Sequence, residues 1–188
     1  MPKADKLILT FNLLYVTIFG LIAIKNQNYE FLFYVSIVVF FILLLLKKYK
    51  KLQLGRDVLW ALSIWGLLHM MGGNIPVGEG VLYGVQLIPT ILRYDQFVHA
   101  FGFGTTTVVA FQLLRPYLKK KVNWTTISIL LVMVGMGAGA LNEVIEFIAV
   151  LILPETGVGG YYNTAGDLTA NLIGSILALF YINKVRKK

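Results

Sequence analysis

An all-α membrane fold, a polytopic bundle of six transmembrane helices with both termini cytoplasmic, is what this sequence predicts, and three observations predict it. Hydrophobic residues make up 57% of the 188 and charged residues only 14%, whereas soluble domains carry about 25% charged residues. Six apolar runs, at about 7–25, 30–47, 55–72, 93–115, 123–153 and 164–183, are long enough to cross a bilayer as helices. Lysine and arginine also sort by side. Fifteen lie before the first run, in the 2–3 and 4–5 connections and after the sixth run, and only Lys25 and Arg93 lie on the other side. That asymmetry follows the positive-inside rule, so the net charge of +8 reads as a topology determinant and not as a nucleic-acid surface. The length suits one membrane domain over residues 1–188. The absence of cysteine excludes disulfides, thiolate metal sites and cysteine nucleophiles.

The first run follows Lys3 and Lys6 but is succeeded by Lys25-Asn26-Gln27-Asn28, with no small-residue cleavage site, so it reads as a retained helix. Runs one and two, the second rather short, look like lipid-facing scaffold without buried charge. The third ends Leu67-Leu68-His69-Met70-Met71-Gly72. The outer connection 73–92 is glycine-rich and contains an apolar stretch, Val81–Leu92, broken by Pro89 and too short to span, which suggests a re-entrant or interfacial cap.

The fourth run opens Arg93-Tyr94-Asp95-Gln96-Phe97-Val98-His99, which puts Asp95 and His99 one above the other on a helix face. In the fifth, Gly135 and Gly139 allow close approach of a neighbour. Asn142, Glu143 and Glu146 follow on much the same side. The sixth carries Asp167 and Asn171 four apart, with Gly174 and Ala178 continuing a small-residue face. An ionisable side chain at membrane depth costs roughly 2.5–3.5 kcal/mol on insertion scales, so the Glu143–Glu146 pair needs partners.

Depth arithmetic at about 1.5 Å per residue places His69, Asp95, His99, Glu143, Glu146, Asp167 and Asn171 all in roughly the outer 15 Å. No ionisable residue is expected in the cytoplasmic half of any run. The expectation is a polar cavity in the outer half of the membrane, lined by runs three to six. Four carboxylates there cannot all ionise unpaired; either some hold protons or a cation sits among them. His69, Asp95, His99, Glu143, Glu146 and Asp167 form a candidate ligand set for Zn²⁺, Mn²⁺, Fe²⁺ or Mg²⁺. Glu143, Glu146, Asp95 and His99 are the candidate catalytic residues, and Arg93, Asn171 and Asn142 the candidate substrate-binding ones. Each has a plainer alternative: His69, Asp95 and Asp167 as helix caps, His99 bonded to a backbone carbonyl, and Asn142 and Asn171 as interhelical hydrogen-bond glue. Tyr94, Tyr161, Tyr162 and Trp124 read as interfacial anchors, and Glu79 as solvated.

Three stretches, Tyr94–His99, Asn142-Glu143-Val144-Ile145-Glu146-Phe147 and Gly160–Gly174, resemble in order and spacing the YjdF-type bacterial inner-membrane proteins. The Asp-x-x-x-His and Asp-Leu-x-x-Asn elements are also similar to VanZ-like membrane proteins. Leu141, Phe147 and Asn163 stand where the YjdF-type pattern more often has other residues. The resemblance covers about residues 55–180 and implies a multi-pass protein of a bacterial-type plasma membrane. VanZ-like relatives are associated with glycopeptide resistance and the cell envelope.

Three functions fit these residues. A metal-assisted hydrolase or transferase would act on a lipid-linked or envelope substrate, with membrane lipids as its partners. A cation or cationic-solute binding or transport protein would use the carboxylates as counter-charges. A structural membrane protein would use the polar cluster only to set helix register.

Overall fold

A computed structural model describes residues 2–119 and 121–187; Lys120 and Lys188, counted above among the basic residues, lie outside the described residues. Among the described residues six α-helices make the fold: α1 (Lys3–Lys25), α2 (Tyr29–Leu52), α3 (Arg56–Asn74), α4 (Tyr94–Leu114), α5 (Trp124–Ile152) and α6 (Tyr161–Val185). Local chemistry sets several of their starts. Asn28 caps α2 by accepting from Phe31 N–H, and Asn123 caps α5 by accepting from Thr126 N–H. At α4 the backbone N–H of Arg93 donates to the side chain of Gln96, the returning half of a capping box.

The helices alternate in direction, and contacts at their ends show it. At one end Arg56, opening α3, pairs with Asp5 of α1 at 2.9 Å, and Asp5 also accepts from Tyr49 near the end of α2. At the same end Gly55 N–H donates to Gln112 of α4, Tyr181 of α6 donates to Asp57, and Arg186 lies over the Trp124 ring. At the opposite end Asn28 donates to the Gly73 carbonyl, Gly157 N–H to Glu30, and Arg93 to Asn163. The basic residues gather at the first end and the acid–imidazole cluster lies toward the second.

Five helices are long and apolar enough to cross a membrane. The sixth, α3, is less apolar because it carries Arg56, Asp57, His69 and Asn74. It nevertheless runs from the end of α2 to the hairpin connection at the opposite end of the bundle, and its 19 residues span close to the hydrocarbon thickness at about 1.5 Å each.

Several expectations need correction. The second span is not short: α2 has 24 residues and its lysines ride on its last turns, where cationic stems can reach the interface. The first two helices are not free of buried charge. Asp5 is buried against Arg56 and Tyr49, and Glu30 of α2 turns inward to hold Gly157. With Asp57, Asp5 also puts carboxylates at the inner end. Gly72 and Gly73 belong to α3 and are buried. The outer connection forms two short antiparallel hairpins. One pairs β1 (Pro76–Val77) with β2 (Gly80–Val81) around Gly78 at φ +60°, and the other pairs β3 (Gln86–Ile88) with β4 (Leu92–Arg93). Between them a 3-10 turn, Leu82–Gly84, drives Tyr83 into the bundle.

Helices α4 and α6 share the most extensive interface. It is close because it is built on glycine. A Cβ at Gly174 would collide with the Ala100 carbonyl, and one at Gly104 would come within 2.8 Å of the Gly174 carbonyl. On α5, Gly135 lies against Thr107 and Ser175, and Gly139 against the amide of Asn171. Below this layer Val58, Val108, Phe111, Leu131, Ala178 and Ile182 pack together in an apolar cluster.

Candidate functional site

Helix phase decides what meets at the outer end. On α4 the four-residue spacing stacks His99 beneath Asp95, and their Nε2 and Oδ1 atoms are 3.7 Å apart. From α5, Glu143 Oε1 comes within 3.7 Å of His99 Nδ1 and Glu146 Oε1 within 3.9 Å of Nε2. From α6, Asn171 Oδ1 lies 3.2 Å from His99 Nδ1. His99 thus stands at the centre, 5% exposed. Two ligand groups share it: Asp95, His99 and Asp167, and His99, Glu143 and Glu146, with donor atoms in each within 4.8 Å of one another.

The cap readings fail for both aspartates. Asp95 sits inside the first turn of α4, whose cap is Arg93, and Asp167 lies well inside α6, which starts at Tyr161. Instead the two share one donor. The Asn163 amide donates to Asp95 Oδ2 at 3.2 Å and to Asp167 Oδ2, and its carbonyl accepts from Arg93 at 3.4 Å. Asn142 bonds within its own helix, donating to Glu146 at 2.7 Å. Even so, Glu143 Oε1, Asp167 Oδ1 and Asn171 Nδ2 are buried with no partner. Buried polar groups are rarely left unpaired, so the cluster has capacity for something more.

Of the residues singled out from the sequence, Asp95, His99, Glu143, Glu146, Asp167, Asn142 and Asn171 come together, and Arg93 stands at the rim. His69 does not join the acids. Its Nδ1 is hydrogen-bonded to the Tyr83 hydroxyl, and its ring packs among Phe31, Tyr34 and Tyr83. Burial pushes the Tyr83 phenol well above its ordinary pKa, so it keeps its proton. Tyr94 is buried and donates to the Leu68 carbonyl, so it is not an interfacial anchor; Tyr161 and Tyr162 are exposed, as anchors would be.

Sequence reasoning missed four contributors. Asn163 lies four before Asp167, a signal hidden by starting α6 three residues late. Glu30 looked like an end residue of a lipid-facing helix, Tyr34 an ordinary aromatic on it, and Tyr83 part of a loop. All four line a cavity of about 500 Å³ with His69, Arg93, Asp95, Glu146 and the hairpin residues. Replacing Asn163 with alanine should leave Asp95 and Asp167 facing each other without their shared donor. We expect a loss of about 1–3 kcal/mol, read as a lower thermal midpoint in detergent.

The family of predicted membrane proteins named DUF2238 matches residues 7–188, and the chain belongs to it. The match agrees with the YjdF-type resemblance. No curated protein and no solved structure matches the chain.

Proposed function

We propose that this DUF2238 member is a metal-dependent enzyme of a bacterial plasma membrane, acting from the outer leaflet on a lipid-linked or cell-envelope substrate. The observation that carries the reading is the setting of His99: one buried imidazole among Asp95, Glu143, Glu146 and Asp167, two of which keep unpartnered oxygens. With its proton on Nδ1, His99 would donate to Asn171 Oδ1, 3.2 Å away, and that bond would fix the ring's orientation. The Nε2 lone pair then faces Asp95 and Glu146. Two ligands of one ion, each about 2.0–2.2 Å from it, lie roughly 3–4 Å apart, and the 3.7 and 3.9 Å separations fall in that range. The nitrogen and carboxylate donors suit Zn²⁺, Mn²⁺, Fe²⁺ or Mg²⁺.

A bound ion would lower the pKa of a water or polarise a phosphoryl or carbonyl oxygen. The residues around it supply the rest. Glu143, grouped with His99 and Glu146 and keeping a buried Oε1 without a hydrogen bond, would serve as a further ligand or as a proton acceptor. Arg93, exposed at the rim and tethered to Asn163, can hold an anionic group. The apolar cluster beneath the site supports a chamber opening to one side over a continuous polar path, and so supports chemistry over transport. The cell envelope as the setting rests on the resemblance of the Asp-x-x-x-His and Asp-Leu-x-x-Asn elements to VanZ-like proteins.

Metal analysis tests the reading. Purified protein titrated with Mn²⁺ or Zn²⁺ should bind with saturation and melt at a higher temperature, and chelator should reverse the gain. A midpoint indifferent to both ions and to chelator would overturn it.

A further inference from the structure

The cavity has two ends, and the metal reading uses only one. Asp95, Glu146 and Asn163 form the first. Glu30, Tyr34, His69 and Tyr83 line the second, where no residue has yet been given a task. Glu30 reaches in from the first turn of α2 and accepts from Gly157 N–H through Oε2 at 2.7 Å, and its carboxylate faces the Tyr34 hydroxyl. That hydroxyl, on a residue only 7% exposed, lies close to Glu30 but is not placed to complete a well-formed hydrogen bond with it or with any other group. Around them stand the rings of Phe31, Tyr34, His69 and Tyr83, with neighbouring centroids 5.4–6.2 Å apart.

A carboxylate, an unpartnered hydroxyl and an aromatic wall make up the chemistry that receives an organic cation. An anion would meet Glu30 and Glu146 in a partly desolvated space, and a neutral polyol would leave the Glu30 charge unanswered. We infer that the second end is an ammonium subsite, with Glu30 and Tyr34 as its polar contacts. The substrate would then carry an amine or quaternary ammonium close to the reacting group, as an aminoalkyl phosphate headgroup does. The identity of the reacting group rests on the proposed function; the ammonium subsite itself does not. Tyr83 explains why the outer connection folds inward, since its ring closes this end of the chamber.

The test compares phosphoethanolamine with glycerol phosphate, titrated into purified protein once in EDTA and once in Mn²⁺. Phosphoethanolamine should bind about tenfold more tightly in both conditions. Glu30→Gln keeps an acceptor for Gly157 N–H while removing the charge, and should bring the ratio to within about twofold. Tyr34→Phe, which keeps the ring, should lower it partway. Dihexanoyl phosphatidylethanolamine against its phosphatidylglycerol counterpart distinguishes a lipid source from a soluble one: further gain from the acyl chains marks a lipid, and none marks a soluble amine. Equal binding of the two phosphates, or binding of neither, overturns the subsite even if Mn²⁺ binds. A preference that persists in EDTA in a protein that takes up no Mn²⁺ would uphold the subsite and overturn the metal reading.

Discussion

Replacing His99 with asparagine is expected to lower Mn²⁺ affinity by about 100-fold or more, since loss even of a second-shell partner costs about 10–100-fold at metal sites. His99 is the only nitrogen ligand in both candidate groups. The same change removes the imidazole around which the four acids gather. Asparagine keeps a polar group in the space and limits the collapse. The comparison variant is Asn171→Ala, which leaves Nε2 and the carboxylates in place and frees only the ring orientation. It should weaken Mn²⁺ binding by about 10–100-fold. Calorimetric titration of both variants against the parent protein checks the order. Unchanged affinity in His99→Asn would mean that any bound ion lies elsewhere. A wild-type protein that binds no ion, but is destabilised by His99→Asn, would reduce the cluster to a device that sets helix register.

The second large effect is at Gly174. Its missing Cβ lets α6 lie directly on the Ala100 carbonyl of α4. The obstruction is backbone, so Gly174→Ala has no flexible side chain to push aside and must part the two helices. Overpacking of this kind costs typically about 1–3 kcal/mol, and we expect the upper part of that range. The consequence goes beyond stability. Helix α4 carries Asp95 and His99, and α6 carries Asp167 and Asn171, so a wider gap also loosens the site. Thermal midpoint and Mn²⁺ affinity should fall together. Gly137→Ala is the control, because nothing lies within 4 Å of its added carbon; it should be neutral or stabilise α5 by about 0.5–1 kcal/mol. Equal effects at the two positions would show that α4 and α6 are not in this contact.

Much of the site was legible before any coordinates. Depth along each helix follows from counting residues inward from its end, so the meeting of Asp95, His99, Glu143, Glu146, Asp167 and Asn171 at one level of the bundle could be read directly. The four-residue spacing of Asp95 and His99 gave a shared face, and the glycines of α5 gave close approach. The same arithmetic put His69 at the right depth and suggested the wrong company. Depth carries no information about rotation or about which neighbour lies alongside. The Tyr83 insertion that occupies His69 comes from a hairpin connection whose path depends on what it packs against.

The sequence by itself determined that the chain is a polytopic helix bundle in lipid, that its basic residues gather toward one end, and that the acid–imidazole cluster lies toward the other. Hydropathy, charge and rise per residue are local quantities and survive without knowledge of partners. Only the tertiary structure decided that Asn163 bridges two aspartates, that Glu30 faces inward from a helix that looked like scaffold, and that one histidine serves the carboxylates while the other sits among aromatic rings. Those facts depend on how each helix is turned and how closely its neighbours stand, which is set by contacts such as Gly174 against Ala100 between residues far apart in the chain.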